Sequence, residues 1–93
     1  MRLEPGRLVI SKAGRDRGKP MLVYKVLDDG FVLVVDGQSR SVARPKRKNP
    51  RHLEPQPLVA HELGAKLQKG EPVDDAEVRA ALSALAAKLK EAG

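Results

Sequence analysis

Apolar residues in the first half of the chain fall in short runs rather than at helical spacing: Leu8-Val9-Ile10, then Met21-Leu22-Val23-Tyr24-Lys25-Val26-Leu27, then Phe31-Val32-Leu33-Val34-Val35. Each run is β-branched, bounded by Gly, Pro or Asp and too short for an ordinary helix, so each predicts a strand. Asp28-Asp29-Gly30 separates the second run from the third, and Asp36-Gly37 follows the third. Asp-Gly suits the positive φ angles of tight hairpin turns, which predicts a meander with Gln38 to Ala43 as the returning fourth strand.

A meander this small covers its core and removes its edges by curling on itself. The expected fold is therefore mainly β: a small SH3-like barrel from about Gly6 to Leu53, followed by a C-terminal helical segment. The almost unbroken apolar third strand belongs at its centre, covered on the second face by the C-terminal half. Arg44-Pro45-Lys46-Arg47-Lys48-Asn49-Pro50-Arg51-His52 reads as an exposed basic segment, and Glu54-Pro55-Gln56-Pro57 as a stiff linker, because proline fixes φ and gives a ladder no donor.

Beyond the linker the period changes. Val59, Leu63 and Leu67 share one side of a short helix expected over Leu58 to Gln68, ending near Lys69-Gly70. Asp74 with Glu77 predicts the start of a second helix, on which Val78, Leu82, Leu85 and Leu89 recur at spacings of four, three and four. Lys88 and Lys90 near its end complement the helix dipole. Two parts are expected: 1–53, a barrel with its basic segment, and 54–93, a Pro-containing linker and an amphipathic helix.

Charge sharpens this division. The 93 residues carry a formal net charge of +6. From Met1 to Leu53 there are 13 basic and 5 acidic residues, a net of +8; from Glu54 to Gly93 there are 5 basic and 7 acidic, a net of −2. The first half is the one that seeks anions, with nucleic acid and anionic membrane surfaces as the candidate classes. Cysteine is absent, so the fold rests on apolar packing without disulfides or thiolate metal sites. No run approaches the ~18 apolar residues of a membrane span, and the opening Met-Arg-Leu-Glu-Pro-Gly has no signal-peptide profile, so a soluble, cytoplasmic protein is expected.

Catalysis finds no support. His52 and His61 have no Cys or third ligand nearby, and Ser11, Ser39, Ser41 and Ser83 have no adjacent base, so no enzyme activity, metal or cofactor is expected. The loop after the first strand is more informative. Gly14 and Gly18 stand among Lys12, Arg15, Arg17 and Lys19, with Asp16 placed to tie the turn or orient one arginine. Glycines there bend the loop and let a phosphate approach its amides, while the cations supply charge-assisted bonds. The residues alone suit either a phosphate-binding loop or a solvated hairpin that happens to be basic.

Val9 and Ile10, Gly14, Arg17 and Gly18, then Leu22-Val23 and Val26 resemble a KOW motif, the strand-loop-strand unit of ribosomal proteins and NusG-type transcription factors. The run Gly6-Arg-Leu-Val-Ile-Ser-Lys-Ala-Gly-Arg-Asp-Arg-Gly18, with Val34-Val35-Asp36-Gly37 and Pro45-Lys46-Arg47-Lys48, is similar to the start of archaeal and eukaryotic large-subunit ribosomal proteins of the fourteen-e, six-e and twenty-seven-e group; small bacterial KOW proteins share it. The resemblance covers about Gly6 to Leu53 and implies an SH3-like barrel that binds ribosomal RNA as part of a ribonucleoprotein in translation. From Glu54 onward nothing matches the KOW unit, so that half is expected to pack on protein, either its own barrel or a partner.

With only Tyr24 and Phe31 as aromatic residues, and Phe31 expected in the core, base stacking cannot dominate. Recognition is expected to rest on phosphate and shape contacts, with Arg15 or Arg17 stacking on one exposed base. Two clusters are expected to bind RNA: Lys12, Gly14, Arg15, Arg17, Gly18 and Lys19, and Arg40, Arg44, Lys46, Arg47, Lys48 and Arg51. The alternative is a NusG-like module for protein interaction or transcription elongation, which the apolar helix stripe favours. Attraction of Arg44 to Arg51 to anionic lipid is a third reading, weakened by the lack of a basic amphipathic helix beside that run.

Overall fold

Strand runs that are apolar at consecutive positions need cover on both faces, and the chain provides two different covers. A computed structural model describes residues 1–92. It has strands β1 (Arg7–Ser11), β2 (Pro20–Val26), β3 (Val32–Val35), β4 (Lys46–Lys48) and β5 (Leu53–Val59), followed by helices α1 (His61–Gln68) and α2 (Asp75–Ala92). The strands form one antiparallel sheet in the order β4-β3-β2-β1-β5.

Alternation sorts the apolar residues onto two sides. Val9, Met21, Val23, Val32, Val34 and Leu53 form a buried cluster made by the strands alone, with Leu3 against it, so the sheet must coil around them. Register shifts in the β1–β5 ladder and around Tyr24 in the β2–β3 ladder are the kind of irregularity that tightens such coiling. Leu8, Leu22 and Val35 point the other way and meet Leu63, Val78 and Leu85. Of β3, Val35 joins this helix-side cluster, but the strand does not hold the central place expected of it: β2 is the middle strand and takes most of the helical cover, because β1 and β5 continue the sheet on its other side. The stripe Val78, Leu82, Leu85 and Leu89 packs on the protein's own sheet.

The coiling brings the two sheet ends near one another without joining them. Lys48, at the end of edge strand β4, donates to Ser11 Oγ at 3.2 Å, and Ser11 pairs with Leu53 of edge strand β5. No ladder connects β4 with β5 among the described residues, so the expected closed barrel is an open, strongly curved sheet in its hydrogen bonding.

Three local expectations change. The fourth strand is Lys46–Lys48 rather than Gln38 to Ala43, because the Asp36 carboxylate captures the amides of Gln38 (2.9 Å) and Arg40 (2.8 Å) that a ladder would need. Glu54 to Pro57 is the middle of β5 instead of a linker; on an edge strand paired only with β1, a proline can turn its missing donor away from the ladder. Leu58 and Val59 belong to that strand too, so α1 begins only at His61. The second helix keeps its expected start, where Glu77 N–H donates to Asp74 Oδ1 at 2.8 Å.

Candidate nucleic-acid interface

Residues 12–19 link β1 to β2 and carry Lys12, Arg15, Arg17 and Lys19, all exposed. The loop closes through backbone bonds: Gly18 N–H donates to the Ser11 carbonyl (2.8 Å), Ser11 N–H to Lys19 (3.1 Å) and Lys19 N–H to Asp16 (2.9 Å). Gly14–Asp16 makes a 3-10 turn, and Gly14 (φ 76°) and Gly18 (φ 84°) adopt the left-handed conformation the sequence anticipated. Arg17 Nε donates back to the Lys12 carbonyl at 3.2 Å.

Asp16 anchors this loop from below. Its side chain is 3% exposed and accepts from the Arg40 guanidinium at 3.1 Å, with Lys48 Nζ at 3.7 Å. Lys48 also donates to the Ala13 carbonyl at 3.1 Å. A carboxylate that deep is costly unless paired, and two cations from separate segments supply the pairing. Of the two roles the sequence offered it, Asp16 takes the first and ties the turn; it orients neither Arg15 nor Arg17, and its guanidinium partner is 24 residues away. Lys48, expected among the solvated cations, is buried. Arg40 keeps 26% of its side chain exposed.

The same contacts draw the second basic segment toward the loop. Lys12 N–H donates to the His52 carbonyl at 2.8 Å, which sets Arg51 and His52, both exposed, beside it. Arg44 and Lys46 are exposed on the chain between Arg40 and Lys48. Burial pushes the Asp36 carboxyl up, but the amides of Arg40 and Gln38, the Ser39 hydroxyl and the charge of Lys19 together hold it below the ordinary carboxylate value. Lys12, Arg15, Arg17, Lys19 and Arg51, all exposed, thus stand on one connected loop system, and the carboxylates of Asp16 and Asp36 within it are engaged by Arg40, Lys48 and backbone amides.

Arg47 is the exception. It pairs with Asp29 of the β2–β3 hairpin, and its guanidinium lies 3.9 Å above the Phe31 ring. The Phe31 amide and then Arg47 keep the Asp29 carboxyl below its usual value. Phe31, expected in the core, is half-buried and belongs to neither core cluster, whereas Tyr24 packs against the helix-side cluster. Sequence reasoning missed both the Asp16–Arg40–Lys48 node and the Arg47–Phe31 stack, since each depends on partners distant along the chain. The alternation of Lys46, Arg47 and Lys48 on a strand was the available signal that these cations point different ways.

Among the described residues, no group of three or more His, Cys, Asp or Glu is arranged to hold a metal ion, and no helix is long and apolar enough to cross a membrane.

No family model matches the chain. Curated relatives do. Large ribosomal subunit protein eL14 of Desulfurococcus amylolyticus is 36% identical over 53 residues, which cover 57% of this chain and 55% of that protein. The chain thus spans about half the length of that relative. The eL14 proteins of Metallosphaera sedula and Saccharolobus islandicus are 32% and 33% identical over 91 residues, covering 98% of this chain and 80% of each relative. The similarity therefore runs through the helical half that the KOW resemblance left out. Identity above 30% over nearly every residue places the chain in a family: it belongs to the eL14 family of large ribosomal subunit proteins.

Proposed function

We propose that this protein binds RNA of the large ribosomal subunit without catalysing a reaction, as a cytoplasmic component or companion of the ribosome. The observation that carries the proposal is the loop of residues 12–19, whose four exposed cations stand on a glycine-turned backbone fixed from beneath by Asp16, Arg40 and Lys48. Such an arrangement offers charge at fixed spacing to phosphates and little chemistry for reading bases, so affinity arises from backbone neutralisation and RNA shape. The names of the eL14 relatives agree with an RNA-rich environment.

In this reading the curved sheet is an SH3-like unit of KOW type. The short 3-10 turn between β4 and β5, the antiparallel order and the basic β1–β2 loop support it. The division of labour is by face: the sheet and its loops up to Arg51 meet RNA, and the part after Glu54 completes the sheet with β5 and covers its outer face with α1 and α2. Lys12, Gly14, Arg15, Arg17, Gly18, Lys19, Arg44, Lys46 and Arg51 make or permit the phosphate contacts; Arg40 and Lys48 act chiefly by holding the loop. The NusG-like alternative drew on the apolar helix stripe, and that stripe packs on the protein's own sheet.

The test combines location and charge. Wild-type protein in a lysate should sediment with large ribosomal subunits at low salt, and Arg15→Glu with Arg17→Glu should shift it to the free pool while leaving the circular dichroism spectrum unchanged. Sedimentation with RNA polymerase, or only as free protein at low salt, would overturn the proposal.

A further inference from the structure

Arg47 differs from the cations of the basic loop in the chemistry left available to it. Its charge is already matched by Asp29, and both side chains are 53% exposed. One face of its guanidinium lies on Phe31 at 3.9 Å, and the carboxylate engages one edge. Even with these two partners in place the Arg47 side chain keeps 53% of its surface exposed, which leaves it accessible to a further group. The residue sits on β4, an edge strand that pairs only with β3, between exposed Lys46 and buried Lys48. A guanidinium neutralised in this way adds little to phosphate binding, but one fixed over an aromatic ring and still half exposed is prepared to stack on another planar group.

We infer that Arg47, fixed in place by Phe31 and Asp29, is a stacking platform for one unpaired base of the bound RNA. The platform thus lies on the β4 edge, and the stacking guanidinium is Arg47 rather than Arg15 or Arg17. The inference rests on the RNA-binding reading above and adds to it a preference for RNA with an extruded base. Base stacking on a protein platform is commonly strong enough to change affinity roughly fivefold or more.

The probe is an RNA hairpin bearing one bulged 2-aminopurine, compared with the same hairpin lacking the bulge. Wild-type protein should bind the bulged hairpin at least about fivefold more tightly and should quench the 2-aminopurine fluorescence. Arg47→Lys keeps the charge and removes the plane; it should abolish the preference and the quenching while leaving affinity for the unbulged hairpin and the salt dependence unchanged. Phe31→Leu, checked for an unaltered melting temperature, should do the same. Retention of the preference in Arg47→Lys, or equal binding of both hairpins by wild type, overturns the inference. In the latter case, a loss of affinity for both hairpins on reversing Arg15 and Arg17 would leave the loop reading standing; no RNA binding by the wild type would remove both.

Discussion

The carboxylate of Asp16, one residue before Arg17 in the basic loop, accepts from the Arg40 guanidinium at 3.1 Å across 24 residues of chain. Because Asp16 is buried and Lys48 Nζ lies 3.7 Å from the same carboxylate oxygen, three segments of the candidate interface share one carboxylate. The loop's shape is therefore set from beneath as well as by its own backbone bonds.

Asp16→Asn should accordingly lower stability by roughly 2–3 kcal/mol, because a buried ammonium and a half-buried guanidinium lose their counter-charge. Chemical denaturation is the check. A loss under about 0.5 kcal/mol, the size expected of an ordinary surface change, would mean the node is not a structural anchor.

Gly14→Val tests the loop backbone. An added Cβ would meet nothing closer than Lys48 Nζ at 3.6 Å, so room is available, but φ is 76°. The expected cost of about 1–3 kcal/mol is conformational, and a β-branched residue is the least suited to it. RNA affinity should fall more than stability, since the loop has to re-form with its cations displaced. Equal melting temperature and equal affinity would show that the left-handed geometry is not needed.

Gly64→Ala tests how α1 seats on the sheet. Alanine is the better helix former by about 1 kcal/mol, yet its Cβ would lie 2.5 Å from the Pro5 carbonyl oxygen. Overlap with backbone outweighs propensity, and a net loss of about 1–3 kcal/mol is expected in thermal or chemical unfolding. A stabilised Gly64→Ala protein would contradict the close approach of α1 to residues 5 and 6.

Acid should weaken the fold in a narrow window. Asp29 and Asp36 both have carboxyls held below their free value of 3.8. A depressed folded pKa gives stability that is present above the unfolded value and lost as pH falls through the folded one. Lys66, raised above 10.5 by its bond to Glu77, has the opposite sign: its contribution is full below 10.5 and declines as pH rises through the folded pKa. These groups predict no change in stability between about pH 6 and 9, and a decline below about pH 4 that Asp36→Asn makes shallower. Denaturant midpoints across pH give the comparison.

Much of this was legible in the sequence because local chemistry agreed with the global fold. The three apolar runs became β1, β2 and β3, Asp28-Asp29-Gly30 became the hairpin between the last two, and Asp74 with Glu77 began the long helix. Where distant pairing overrides local signals the sequence misled. Pro55 and Pro57 look like a linker until β1 is known to lie on one side only, and Asp36 looks like a tight turn until its carboxylate is seen to accept from residues 38 to 40. The candidate site followed the same rule. Lys12, Arg15, Arg17 and Lys19 were readable as an exposed loop. Arg40 and Lys48 instead take roles fixed by Asp16 and Ser11, and Arg47 one fixed by Asp29 and Phe31, all partners remote along the chain.

The most direct test of the central claim is a titration of large-subunit ribosomal RNA across salt concentrations. If about six phosphates are neutralised, log affinity should fall against log salt with a slope of roughly −4 to −5, and reversing Arg15 and Arg17 to Glu should reduce that slope by about 2. A flat salt dependence, or a slope unchanged by the double reversal, would contradict phosphate binding by this loop.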